Sequence, residues 1–139
     1  MARYLEATHN AKIVVVGGVR DIEAGHIIQS GLRKENVLFL PGKLGILETL
    51  ELFRRCSFLI SNDTGTAHMA AAVNLPVVGL YGVRNVFGSW FPYGKNHIIL
   101  HHKFFDCTYT SEDCIKKSVD SISVEEVKVA CDAMIRRLV

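Results

Sequence analysis

Residues 61–72 read Ser61, Asn62, Asp63, Thr64, Gly65, Thr66, Ala67, His68, Met69, Ala70, Ala71, Ala72. They follow the apolar run Phe58, Leu59, Ile60, which suits a buried strand, and they lead into an alanine-rich helix. A strand that turns through Asp-Thr-Gly into a helix aims several backbone N–H groups at one point. Those groups and the helix dipole attract anions, phosphate above all. Thr64 and Thr66 add hydroxyl donors, Gly65 lets a ligand approach the backbone closely, and His68 reaches the same point from the first helical turn. The same residues also suit a plain turn. Asn62, Asp63 or Thr64 then acts as an ordinary N-cap, Gly65 as a tight bend, and His68 as a half-buried helix residue.

The elements that must hold this turn alternate along the chain. Residues 1–8 read as helix. Residues 12–16 are β-branched and leave through Gly17-Gly18. Residues 21–33 read as helix, with Asp21 near the cap and Gly31 weakening the end. A short strand over 37–40 closes at Pro41-Gly42, and Ile46, Leu47, Leu50 and Phe53 give 46–55 helical spacing. Residues 57–61 are strand and 65–73 helix. Pro76 opens a strand over 77–81, and another lies at 97–100, across a Gly-rich aromatic loop at 82–95. Residues 101–121 read as irregular. Ser123 caps a last helix to 139, and Glu126 completes a capping box.

This alternation predicts an α/β fold: a Rossmann-like parallel sheet of about five strands with helices on both faces, one domain over residues 1–139. Ligands bind such sheets beyond the C-terminal ends of the strands. Gly17-Gly18, Pro41-Gly42, the 63–65 turn and Tyr81-Gly82 all follow strands, so four turns converge on one edge. There Asp21 or Glu23 suits a hydrogen bond to a ribose, as an acidic residue does in dinucleotide folds. A helix N-terminal acid favoured by the dipole explains either residue equally well.

With 139 residues, 49% of them hydrophobic, the chain can bury a core. A net charge of +2, with Lys and Arg scattered apart from short pairs such as Arg54-Arg55 and Arg136-Arg137, argues against a nucleic-acid partner. No apolar run is long enough for a transmembrane segment, and the opening residues lack a signal-peptide pattern. Together with four unclustered cysteines, these features predict a cytoplasmic protein. Cys56 and Cys131 fall on helix faces and suit the core. Cys107 and Cys114, with His101-His102 nearby, match no standard zinc spacing, so no metal is expected.

Asp-Thr-Gly-x-x-His-x-Ala-Ala-Ala over 63–72, followed by residues 74–82, resembles the C-terminal domain of the lipopolysaccharide heptosyltransferases. These are GT-B-fold glycosyltransferases that use ADP-heptose. The resemblance extends to the strand and glycines at 13–18, the Leu40-Pro41-Gly42-Lys43 turn, the helix at 47–55 and the Trp90-Phe91-Pro92-Tyr93-Gly94 loop. Cys107, Cys114 and the helix start at 123–127 look like the family's tail, so nearly the whole chain is covered. The Asp-Thr-Gly-x-x-His signature is fairly specific; each other piece is weak alone.

The resemblance implies that Asp63, Thr64, Gly65, Thr66 and His68 bind a nucleotide sugar. A carboxylate does not welcome a diphosphate, so Asp63 falls to sugar hydroxyls or to the cap. Lys43 and Leu44 occupy the turn that lines adenine in the family, although Lys43 also suits a solvated loop. Trp90 and Tyr93 suit a sugar pocket or a cover for the core. The implied partners are an ADP-sugar donor, ADP-heptose foremost, and a lipopolysaccharide core acceptor. No cofactor is implied, and the location includes the inner face of the inner membrane.

Family members are more than twice this length. The resemblance therefore implies that the N-terminal domain with the general base is absent, and with it the domain's first strand and a Gly-x-Ser/Thr…Lys loop. The expected consequences are a chain inactive alone and weak ADP binding. The absent strand belongs between residues 13–16 and 58–61. Direct pairing of those two strands is expected, giving the order 37–40, 13–16, 58–61, 77–81, 97–100. Two other readings remain: a non-catalytic nucleotide-sugar-binding module, and another GT-B enzyme such as a sugar-nucleotide epimerase.

Overall fold

The computed structural model describes residues 1–82, 88, 90–102 and 112–138. The chain divides into two compact units, Met1–Thr49 and Leu50–Val139. Every strand pair among the described residues is parallel.

The first unit starts with α1 (Ala2–His9), closed by Asn10 in the left-handed conformation at φ 51°. β1 (Ile13–Val15) pairs with β2 (Val37–Phe39), Val14 beside Leu38. Between them run a 3-10 turn (Val19–Asp21) and α2 (Ile22–Ser30). Gly25 is buried on α2, and a Cβ there would stand 2.9 Å from the Phe39 ring and 3.1 Å from Pro41 Cγ. The missing side chain is what lets this helix lie on β2. The buried Glu6 carboxylate ties α1 to the chain after α2: its Oε1 accepts from Asn36 Nδ2 at 2.9 Å, Arg33 N at 3.1 Å and Arg33 Nε at 3.2 Å. These donors, Asn36 first, hold its pKa below the usual carboxylate value.

α3 (Ile46–Phe53) leads into the second unit, where Phe53 is buried. There β3 (Leu59–Asn62), β4 (Val77–Tyr81) and β5 (Ile98–His101) form a ladder with β4 central. Val77, Val78, Gly79 and Tyr81 of β4 are buried, as befits a strand covered on both faces. α4 (Gly65–Ala72) contacts β3 and β4 and buries Ala67 and Ala70 completely, so small side chains allow a close approach. α6 (Val124–Leu138) contacts β4 and β5. It buries Val127, Ala130, Cys131 and Met134 at the i, i+3, i+4, i+7 spacing of one helical face. Burial pushes the Cys131 thiol up to about 11, so it is an inert core group, as its position on a helix face implies. Cys56 is likewise raised by burial. His97 seals the start of β4. The Val77 N–H donates to His97 Nδ1 at 3.1 Å, so the proton sits on Nε2 and is donated to Tyr93 O at 3.0 Å.

Two expectations need correction. The five expected strands are present and parallel, but they form two ladders, β1–β2 and β3–β4–β5. No ladder joins Val14 or Val15 to Leu59 or Ile60 among the described residues. Pairing demands strand axes about 4.8 Å apart. β1 finds that neighbour in β2 and β3 finds it in β4, each within its own unit. The second correction lies within 101–121: residues Glu112–Asp120 form α5, which contacts β4.

Candidate functional site

At the end of β3 the chain passes through Asp63 and Thr64 and enters α4 at Gly65. Thr64 is the N-cap residue, extended at φ −142° and ψ 162°, yet its side chain makes no capping hydrogen bond. Its hydroxyl turns back instead, 3.1 Å from Ser61 Oγ and 3.4 Å from Asn62 O. Ser61 Oγ also donates to Asn62 O at 3.0 Å. Hydroxyls that cap many helices are thus tied to the strand. Ala67 N donates to Thr64 O at 3.1 Å, but the first N–H groups of α4 receive no side-chain acceptor from the cap. Gly65 is exposed, and a Cβ built on it would meet nothing within 4 Å. Asp63, Thr66 and His68 are half-buried around it. This is an accessible helix N-terminus with a positive dipole end, with the Thr66 hydroxyl and the His68 imidazole in its first turn. Its chemistry suits a phosphate or diphosphate.

The first unit brings another set of turns together. Leu40 N donates to Val15 O at 2.9 Å and Gly42 N to Gly17 O at 2.9 Å, so the chain ends of β1 and β2 stay joined beyond the ladder. Gly42, at φ 71°, bends the second turn as only glycine does easily. Asp21 is engaged here: its Oδ2 accepts the Gly18 N–H at 2.7 Å. A Cβ on Gly17 would stand 2.8 Å from that carboxylate, so Gly17 makes room for it. Glu23 is exposed in the first turn of α2. Lys43 is exposed, with Nζ 5.8 Å from the centroid of the Phe39 ring, whose plane stacks on His26 at 4.4 Å. Leu44 beside it is half-buried.

The candidates therefore fall into two groups, Asp21, Glu23, Lys43 and Leu44 in one unit and residues 63–68 in the other. Trp90 is 57% and Tyr93 92% exposed, so neither covers the core. Sequence reasoning passed over two residues at the second group. Ser61 holds Thr64 back from the cap, and Tyr81 is buried at the end of β4. Tyr81 had a legible signal, an aromatic hydroxyl at a strand C-terminus. Cys107 lies outside the described residues, as does the side chain of Cys114. Of their histidine neighbours, His102 is engaged, Nδ1 with Ser121 Oγ at 2.9 Å and Nε2 with Glu126 Oε1 at 2.7 Å. An open groove between β5 and α6 is lined by the apolar Ile98, Leu100, Val129 and Ala133, with Glu125, Glu126 and Arg137 also on its lining.

The family model for glycosyltransferase family 9 (heptosyltransferase) matches residues 2–119. Lipooligosaccharide heptosyltransferase 2 of Haemophilus influenzae is 35% identical over 78 residues, 54% of this chain and 22% of that protein. Lipopolysaccharide heptosyltransferase 2 of Escherichia coli is 35% identical over 74 residues, 51% of this chain and 21% of that protein. Among solved structures, a glycosyl transferase family 9 protein from Veillonella parvula superposes with a TM-score of 0.82 at 25% identity, over 98% of this chain and 39% of its own. The E. coli ADP-heptose LPS heptosyltransferase II superposes at 0.78 and 24% identity, over 98% of this chain and 40% of its own, a likeness of fold. The matches thus span about a fifth of the curated relatives and about two fifths of the solved chains.

Proposed function

The chain belongs to glycosyltransferase family 9, the heptosyltransferase family, and on that premise we propose that it is the donor-binding part of an enzyme that moves a sugar from a nucleotide diphosphate to a lipopolysaccharide core acceptor. The donor is ADP-heptose, and residues 1–139 serve as one nucleotide-sugar-binding domain working in the cytoplasm. The observation that carries this reading is the uncapped, unobstructed start of α4 at Gly65. Transfer from a nucleotide sugar builds negative charge on the departing diphosphate. The N–H groups of Gly65 and Thr66, the Thr66 hydroxyl and His68 bind that charge more tightly as it develops, which lowers the barrier, and Thr64, its hydroxyl held by Ser61 and Asn62, shapes the turn that presents them. Asp63 takes sugar hydroxyls. In the first unit, Lys43 and Leu44 are assigned to adenine. Because Asp21 is held by Gly18 N–H, its part is to shape the turn, and Glu23 is the freer carboxylate for ribose.

The test is a calorimetric titration of the chain with ADP, UDP and their sugars. Weak binding of ADP, tighter than that of UDP, is the expected result. A preference for UDP contradicts the donor assignment and favours another class of nucleotide-sugar enzyme. No binding of any of them removes the site.

A further inference from the structure

α6 carries a stripe of residues that its own core does not use. Glu125, Val129, Ala133 and Arg137 stand four apart, so they follow one another along one side of the helix. They form the α6 wall of the open groove, and Ile98 and Leu100 of β5 form the facing wall. The groove holds about 420 Å³. Val129, at the middle of the stripe, is 59% exposed, whereas Val127, Cys131 and Met134 of the same helix are buried.

The ends of the groove carry opposite charges. Glu125 lies at one end, with its side chain 74% exposed and an i,i+3 surface pair to Lys128 at 3.0 Å. Such a pair contributes little by itself. Arg137 lies at the other end, exposed, with no hydrogen bond or ion pair among the described residues. Glu126 is already held by Ser123 and His102. The stripe from Glu125 to Arg137 runs about 18 Å along the helix axis. An element that fits it is of that length, apolar in the middle, basic where it meets Glu125 and acidic where it meets Arg137. α6 itself, run in the opposite direction, meets each of these conditions. About a two-fold axis level with Cys131, Glu125 opposes Arg137 of a second copy and Val129 opposes Ala133, and the same pairs recur in reverse. A parallel arrangement would set Glu125 against Glu125. The small Ala133 side chain lets two helix axes come within about 8–10 Å.

We propose that the groove between β5 and α6 is the contact of a two-fold dimer of this chain, in which the two α6 helices lie antiparallel and each seats against Ile98 and Leu100 of the other copy. The contact is smaller than a standard interface, so the dimer is weak, with a Kd of about 10–100 µM. None of its residues is assigned to the nucleotide sugar, so the dimer and the donor reading stand or fall separately.

The experiment is sedimentation equilibrium of the whole chain, from well below to well above that range. Wild type is compared with Glu125→Arg, Arg137→Glu and the double variant, and urea unfolding in dilute solution checks that each is folded. Wild type is expected to pass from monomer to dimer. Either single reversal sets like charges together at both ends of the contact and should weaken the dimer about tenfold or more. The double variant should return to near wild-type association, because its pairs are exchanged and not lost. An equimolar mixture of the two single variants should also dimerise, since each supplies the charge the other lacks, which also shows that neither has merely misfolded. A wild-type chain that stays monomeric throughout overturns the proposal. A dimer indifferent to the single reversals uses another face and overturns it as well. So does a double variant as weak as the singles, or a mixture that stays monomeric, because the opposed charges then do not meet.

Discussion

His68 sits in the first turn of α4, half-buried, three residues past the glycine that leaves the helix start open. An imidazole that donates to a phosphate oxygen contributes about 1–3 kcal/mol. His68→Ala is therefore expected to weaken ADP about tenfold or more, read by calorimetry. Unchanged affinity in a variant that still binds ADP removes His68 from the site. The place of His68 in the first turn of α4 was legible in the sequence, because its spacing from Asp63-Thr64-Gly65 is local and α4 is helical. The actual commitments of its neighbours were not. Asp21 could be read as a cap or as a ribose ligand, and the Gly18 N–H at 2.7 Å shows it caps the turn. Thr64 looked like a side-chain cap, but Ser61 Oγ at 3.1 Å draws its hydroxyl back toward the strand. Choices of this kind depend on a few tenths of an ångström in a turn, and residue type alone does not carry them.

Among the elements, α6 follows most directly from its residues. Ser123 and Glu126 form the reciprocal cap their spacing predicts: Glu126 Oε2 accepts Ser123 N at 2.8 Å and Ser123 Oγ at 2.7 Å, and Glu126 N donates to Ser123 Oγ at 3.2 Å. Ser123→Ala is expected to cost about 1 kcal/mol in a urea titration, the usual worth of such a cap. An unchanged midpoint would show that packing of Val127, Ala130, Cys131 and Met134 alone fixes the helix. α5 was missed, although Ile115, Val119 and Ile122 stand at helical spacing. The stretch before it, rich in threonine, serine and aspartate, signals turns, and the contact with β4 that favours the helix is tertiary. Strand identity was legible from the β-branched runs, and strand pairing was not. Which strand takes which neighbour depends on long-range contacts, and no local pattern records them.

For the whole molecule, three tied carboxylates among the described residues shape the response to acid. Glu51 is held below its ordinary value by Arg55 first and by Arg54. Glu6 is held below its ordinary value by Asn36 and Arg33. Glu126 is held down to about 2, first by the Ser123 N–H, then by its hydroxyl and by His102. A carboxylate whose pKa is lower in the folded state stabilises the fold above its unfolded value and loses that contribution as pH falls through the folded one. Stability is therefore expected to be level at and above pH 5 as far as these groups go, and to fall between about 4.5 and about 2. Urea midpoints measured across that range check this, and Glu6→Gln should flatten part of the slope. A profile that rises toward acid contradicts these assignments. Family membership rests on residues 2–119, while the finer account, a donor site for ADP-heptose, turns on the open start of α4. The measurement that tests it most directly is an amide nuclear magnetic resonance titration of the chain with ADP. The expected result is saturable shifts of the Gly65 and Thr66 N–H signals and of the His68 ring, absent with adenosine. Those signals standing still while ADP binds elsewhere, or moving equally with adenosine, would contradict a diphosphate site at this helix.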